Sequence, residues 1–107
     1  MPILNHEEYT PCGVERALKI FDGKWKLLII QRLFSGPLRT SQIEKSIPLA
    51  PQRALLKQLK ELVDDGIIIK EVISDKPLHV CYSLSEKAEQ LKPVLYALQK
   101  WSQDQHI

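Results

Sequence analysis

Few side chains in this 107-residue sequence are arranged for bond-making chemistry. Cys12 follows Thr10-Pro11, a capping residue and then the residue best tolerated at the first helical position, so Cys12 is expected at N2 of a helix. Free N–H groups and the helix dipole favour a thiolate there; Arg16, one turn on, adds to this and Glu15 opposes it. The other reading of Cys12 is a small packed residue under an interface, since free cysteine is among the most buried types. Cys81 falls in a strand pattern without comparable activation and reads as packing. His79-x-Cys81 puts two metal-capable groups on one strand face, but a metal site needs three or four, so no metal is expected. Asp64-Asp65 ends a helix beside a glycine, where solvated carboxylates are usual and an acid–base pair is not. Gly13, Gly23, Gly36 and Gly66 are too scattered for a phosphate-binding loop. Trp25 and Trp101 read as core or interface aromatics. With no nucleophile–base pair in view, neither catalysis nor a cofactor is expected.

The spacing supports electrostatic chemistry instead. The formal net charge is only +2, yet residues 16–60 hold ten bases against Asp22 and Glu44, while both flanks are net acidic. One basic segment in a nearly neutral chain is the footprint of nucleic-acid contact, against the plainer reading of a solvated surface. At about 100° per residue, Leu55, Leu59 and Leu62 share one sector of a helix, and Arg53, Lys57 and Lys60 share the opposite one. A helix with a dry back and a basic front is what a major groove admits.

Elements that would position these residues can be read in order. A first helix opens at Thr10-Pro11, carries Val14, Ala17, Leu18 and Phe21 at helical period, and closes at Gly23. A second, from about Trp25 to Phe34, is apolar on nearly every side and belongs inside a core; Ser35-Gly36-Pro37 stops it. Ser41-Gln42-Ile43-Glu44 is a capping box that starts a short helix ending near Ile47-Pro48. Pro51 enters a longer helix that runs to Asp65, with Gly66 as its cap. The period then changes. Residues 67–73 are β-branched and read as a strand, Ser74-Asp75-Lys76-Pro77 as a turn, and residues 79–84 as a return strand. Ser85 caps a last helix with Ala88, Leu91, Val94, Leu95, Leu98 and Trp101 on one face. Pro93 lies inside that pattern and either kinks the helix or divides it.

A chain of this length holds one domain, expected over 1–107, and is too short for a TIM barrel or a full dinucleotide-binding fold. Its 44% apolar and 26% charged fractions argue against disorder. The longest apolar run, Leu27 to Ile30, is far below the ~20 residues of a membrane span. The first residues lack a basic head and an apolar stretch, so no secretory signal is expected. Two cysteines make no disulfide framework, and a reducing cytoplasm is the expected compartment.

The order helix, helix, short helix, helix, hairpin, helix is that of an α+β, mainly α, winged helix-turn-helix. Cys12-Gly13-Val14-Glu15-Arg16-Ala17-Leu18, Gly23-Lys24-Trp25, Leu27-Leu28-Ile29-Ile30 and Leu33-Phe34-Ser35-Gly36-Pro37-Leu38-Arg39 resemble the HxlR-type regulators of bacteria. The likeness continues through Ile43, Ser46-Ile47-Pro48, Leu55, Leu59, Leu62, Asp65-Gly66, Tyr82-Ser83-Leu84-Ser85, Leu95, Leu98 and Trp101. It departs at Thr40, Leu49, Pro51, Leu78, His79, Cys81 and Ala88. What it implies is a dimeric, cytoplasmic transcription regulator on palindromic operators, with a cysteine at the place of Cys12 that senses oxidants or electrophiles in several relatives.

The resulting expectation is a homodimer on double-stranded DNA, joined through its first and last helices. Pro51 would lead the recognition helix into the major groove, with Gln52, Arg53 and Lys57 nearest the bases. Arg39, Ser41, Gln42 and Lys60 would hold phosphates, and Lys76 at the wing tip would reach the minor groove or backbone. A small oxidant or electrophile would act at Cys12. The rival is a winged-helix module that binds protein and never DNA, marked by an apolar recognition face, which Arg53, Lys57 and Lys60 oppose.

Overall fold

A computed structural model describes residues 12–107. Thr10 and Pro11, expected to open the first helix, lie outside the described residues. Helix α1 spans Gly13–Ile20, and Cys12, with extended backbone, is its N-cap rather than its N2 residue. The Cys12 carbonyl accepts the Arg16 N–H at 3.0 Å, the first bond of the helix. Phe21 ends α1 through its N–H to the Ala17 carbonyl, also at 3.0 Å, so Gly23 is not the cap. Gly23 relieves crowding instead: a Cβ there would stand 3.0 Å from the Gln58 side chain, on the flank of a later helix.

Helix α2 is Lys26–Arg32, shorter than its apolar run, because Leu33–Ser35 tightens into a 3₁₀ turn. Its Ile29 and Ile30 are fully buried. Strand β1, Leu38–Arg39, follows and was not legible, since two residues carry no period. Helix α3 is Thr40–Ser46, so Ser41 lies inside it and does not cap it. Arg39 is the cap residue, and its N–H donates to the Gln42 Oε1 at 2.8 Å, the returning half of a capping box shifted two residues toward the N-terminus. Pro51 leads into α4, Gln52–Asp64. Gly66, at φ +71°, takes the left-handed conformation that stops α4 at little cost.

Strands β2 (Ile68–Asp75) and β3 (Leu78–Leu84) form the antiparallel hairpin, with Lys76-Pro77 at the tip. Pairing of Val72 with Val80 and Ser74 with His79 leaves Ile73 as a bulge in the outer hairpin. Strand β1 pairs with β3 on the other side, giving the order β1-β3-β2. Helix α5 (Glu86–Glu89) begins at Ser85, whose Oγ accepts the Ala88 N–H at 3.3 Å. Helix α6 is Lys92–Asp104. Pro93 therefore divides the last helical segment, sitting in the first turn of α6 where its missing N–H costs nothing.

The core is one cluster: Trp25, Ile29, Ile30 and Leu33 meet Ile43, Ile47, Leu55, Leu59 and Leu62, closed by Ile67, Ile68, Tyr82, Leu84 and Ala88. This architecture is a winged helix-turn-helix.

Candidate nucleic-acid interface

Helix α4 has three sides. Its back is dry, with Leu55, Leu59 and Leu62 sealed in the core. One flank is locked to the start of α2. Gln58 Oε1 accepts the Trp25 N–H at 2.8 Å, and Glu61 pairs with the Lys26 ammonium at 3.1 Å. Lys26 is only 3% exposed, and that carboxylate is the partner that offsets its loss of water. The front carries Arg53, Lys57 and Lys60, all exposed, as the wheel requires. Two fixed flank contacts set the roll of the helix about its axis and thereby aim that front.

The turn before α4 is built by burying Ile47 and returning the Ala50 N–H to the Ile47 carbonyl at 3.0 Å. Pro51 adopts the extended conformation before Gln52 starts the helix. Gln52 and Arg53 thus stand exposed at the N-terminal end of α4, the end that a recognition helix points at base edges. Gln52 also reaches the Glu44 carboxylate on α3 at 3.4 Å, which ties its amide to the preceding helix. Lys60 pairs with Asp64 one turn on at 3.0 Å; both are well exposed, so the pair is weak and leaves the ammonium free to exchange partners.

Arg39, Ser41 and Gln42 are brought together at the start of α3 and all are exposed. Gln42 commits its Oε1 to the Arg39 N–H, leaving its amide NH₂ for other contacts. Pairing of β1 with β3 sets Arg39 opposite Cys81 and places the start of α3 against the wing. Arg39, Thr40 and Ser41 line a cavity of about 300 Å³ with Leu78, His79 and Val80. Sequence periodicity gave no sign of that meeting, because it depends on the two-residue β1. Lys76 stands apart at the hairpin tip, exposed.

Not all of the basic segment faces one way. Lys26 is buried in its ion pair, and Arg32 donates from Nε to the Ser46 carbonyl at 3.2 Å, holding α2 to α3. Lys24 lies over the Trp25 ring, 4.9 Å from its centroid. These three serve the fold. Arg53, Lys57 and Lys60 are left as the basic face of α4.

Cys12 is exposed at the start of α1. The Glu15 backbone N–H holds its thiol below the ordinary value, with smaller help from the backbone N–H groups of Val14 and Cys12 and from the Arg16 guanidinium. Cys81 is half-buried on β3. Among the described residues, no group of three or more His, Cys, Asp or Glu side chains could hold a metal ion.

Comparison with known proteins agrees with this geometry. Residues 20–106 match the family model described as HxlR-like helix-turn-helix. An uncharacterised HTH-type transcriptional regulator of Methanothermobacter thermautotrophicus is 41% identical over 98 residues, 92% of this chain and 74% of that protein. Among solved structures, the redox regulator HypR in its oxidised form superposes with a TM-score of 0.79 at 34% identity, over 87% of this chain and 96% of that one. The quinone-bound form of YodB from Bacillus subtilis superposes with a TM-score of 0.74 at 33% identity, over 88% and 99%.

Proposed function

This chain belongs to the HxlR-like helix-turn-helix family, and from that premise we propose that it is a cytoplasmic, homodimeric regulator that binds a palindromic operator in double-stranded DNA. The observation that carries this reading is α4, whose exposed Arg53, Lys57 and Lys60 stand opposite a fully buried leucine back. Arg53 and Lys57, with Gln52 beside them, read base edges in the major groove, and Pro51 sets the entry of the helix. Arg39, Ser41, Gln42 and Lys60 hold phosphates, and Lys76 extends the contact from the wing. Dimerisation is supported by two helices whose apolar faces the described residues do not cover. Val14 and Leu18 on α1 are exposed, as are Val94, Leu98 and Trp101 on α6. A two-fold pairing through these helices sets both recognition helices about 34–36 Å apart, one turn of DNA.

Cys12 is the effector site in this reading. Its thiolate either adds to a small electrophile, or two copies of Cys12 lose two electrons and two protons to an oxidant and form a disulfide across the two-fold axis. Either product acts on α1, at the interface, and shifts one recognition helix against the other. The solved forms of HypR and YodB, titled oxidised and quinone-bound, support this class of effector.

A second reading is a module that grips protein through its wing, favoured by the exposed apolar Ile69, Val72, Ile73 and Leu78 on the hairpin. Fluorescence anisotropy with the duplex upstream of the chain's own coding sequence separates the two. A DNA regulator binds with an affinity that falls by about 10³-fold or more between 50 and 200 mM salt. A protein that binds no duplex at either salt concentration is the interaction module.

A further inference from the structure

We propose that the groove between α4 and the hairpin is a binding site for a small aromatic carboxylate, separate from Cys12. The groove has a volume of about 390 Å³, within the range of small-molecule sites, and is lined by Leu56, Lys60, Val63, Asp64, Lys70 and Tyr82. Its walls supply three complementary features. Leu56 and Val63 offer apolar surface from α4, and the Tyr82 ring offers more from β3, so a flat ring is matched there at little loss of conformational freedom. Tyr82 is only 7% exposed, yet its hydroxyl has no hydrogen-bond partner among the described residues and is not sealed from solvent. The ring is thus held in the core while the hydroxyl remains open to solvent and can donate to an acceptor that enters the groove.

Lys70 supplies the charge. It stands directly opposite Tyr82 in the β2–β3 register, which places both side chains on the same sheet face. Lys60 and Asp64 satisfy each other at 3.0 Å, whereas Lys70 has no ion-pair partner among the described residues. The groove therefore carries one surplus positive charge and one hydroxyl donor that no protein group occupies. Together they fit a carboxylate, with the ring lying on the apolar walls.

A ligand seated there touches both the recognition helix and the wing. It also covers Lys60, which lines the groove and which the regulator reading assigns to a phosphate. Site and DNA then compete, and by linkage the ligand lowers duplex affinity as much as duplex lowers ligand affinity. This regulatory half rests on the proposed DNA function; binding itself does not.

Benzoate is the probe, titrated into the free protein and followed by backbone amide chemical shifts. Saturable shifts at residues 56–64, 70 and 82 are expected, with acetate and benzyl alcohol giving none, because each lacks half of the complement. Lys70→Met, which keeps the stem and removes the charge, is expected to weaken benzoate about tenfold. Tyr82→Phe, which keeps the ring, is expected to weaken it about threefold. Thermal melts check that both variants are folded. The site is overturned if wild-type protein shows no saturation below about 10 mM, or if Lys70→Met binds benzoate as wild type does. A protein that binds benzoate but no duplex overturns the regulator reading and leaves the site standing. Unchanged duplex affinity in saturating benzoate overturns the competition.

Discussion

The inner helix α4 and the outer helices α1 and α6 are all amphipathic by sequence, yet they meet different fates. Leu55, Leu59 and Leu62 on α4 are at most 1% exposed, while Val14 on α1 is 68% and Trp101 on α6 is 57% exposed. Helix α1 has no buried residue at all. An apolar period states that a face is to be dried, not by what. For the inner helices the answer is the same chain; for the outer pair the described residues offer no cover, and a second copy is the reading we favour. Between α2 and α6 a groove of about 440 Å³, lined by Leu27, Leu28, Leu95 and Leu98, continues that uncovered surface.

The contrast is broken or sharpened first in the core. Leu59→Ala is expected to cost ~2–5 kcal/mol in denaturant unfolding, since it opens a cavity that fixed neighbours cannot fill. A loss below about 1 kcal/mol would show that the inner helices are no better packed than the outer ones. Trp101→Ala on α6 is expected to leave the far-UV spectrum intact and to raise the dimer dissociation constant about 30-fold, some 2 kcal/mol, by sedimentation. Wild-type protein that sediments as a monomer at micromolar concentration removes the explanation for both outer helices.

The same contrast runs around α4, between its locked flank and its open front. Arg53→Ala is expected to cost ~1–3 kcal/mol on the cognate operator and to relax preference at one base position, with melting unchanged. Lys60→Ala is expected to weaken all duplexes alike and to lower the salt slope by about one. Equal behaviour of the two variants would mean that α4 holds backbone and reads no base. The smallest effect belongs to Cys12, where the Glu15 amide lowers the thiol pKa. A group depressed in this way is thiolate at lower pH than free cysteine, so its alkylation rate rises through a midpoint below that of free cysteine and flattens above it. A midpoint at or above that of free cysteine leaves Cys12 as a helix cap only.

Local chemistry was legible where a few adjacent residues decide it. The α4 wheel, the Ser85 cap, the Gly66 stop and the β-branched run of the hairpin all depend on neighbours within a turn or two, and each stands where the sequence put it. Exposure of Arg53, Lys57 and Lys60 follows from the same short-range geometry. Even small misreadings were local in kind: Arg39 in place of Ser41 as the α3 cap, and Cys12 as a cap rather than an N2 residue.

Tertiary structure alone decided the pairings between distant segments. Nothing near Lys26 announces that Glu61, thirty-five residues on, accepts its charge, or that Gln58 needs the space left by Gly23. Strand β1 exists only because β3 runs beside it, and without β3 its two residues have no reason to be extended. Pro93 was compatible with a bend or a break. The break follows from where α5 ends, with Ala88 buried in the core and Leu91 packed against it before α6 begins. Sequence encodes which faces are dry and which ends are capped, because those are short-range interactions; which dry face meets which is settled by packing them into one volume, a property of the whole chain.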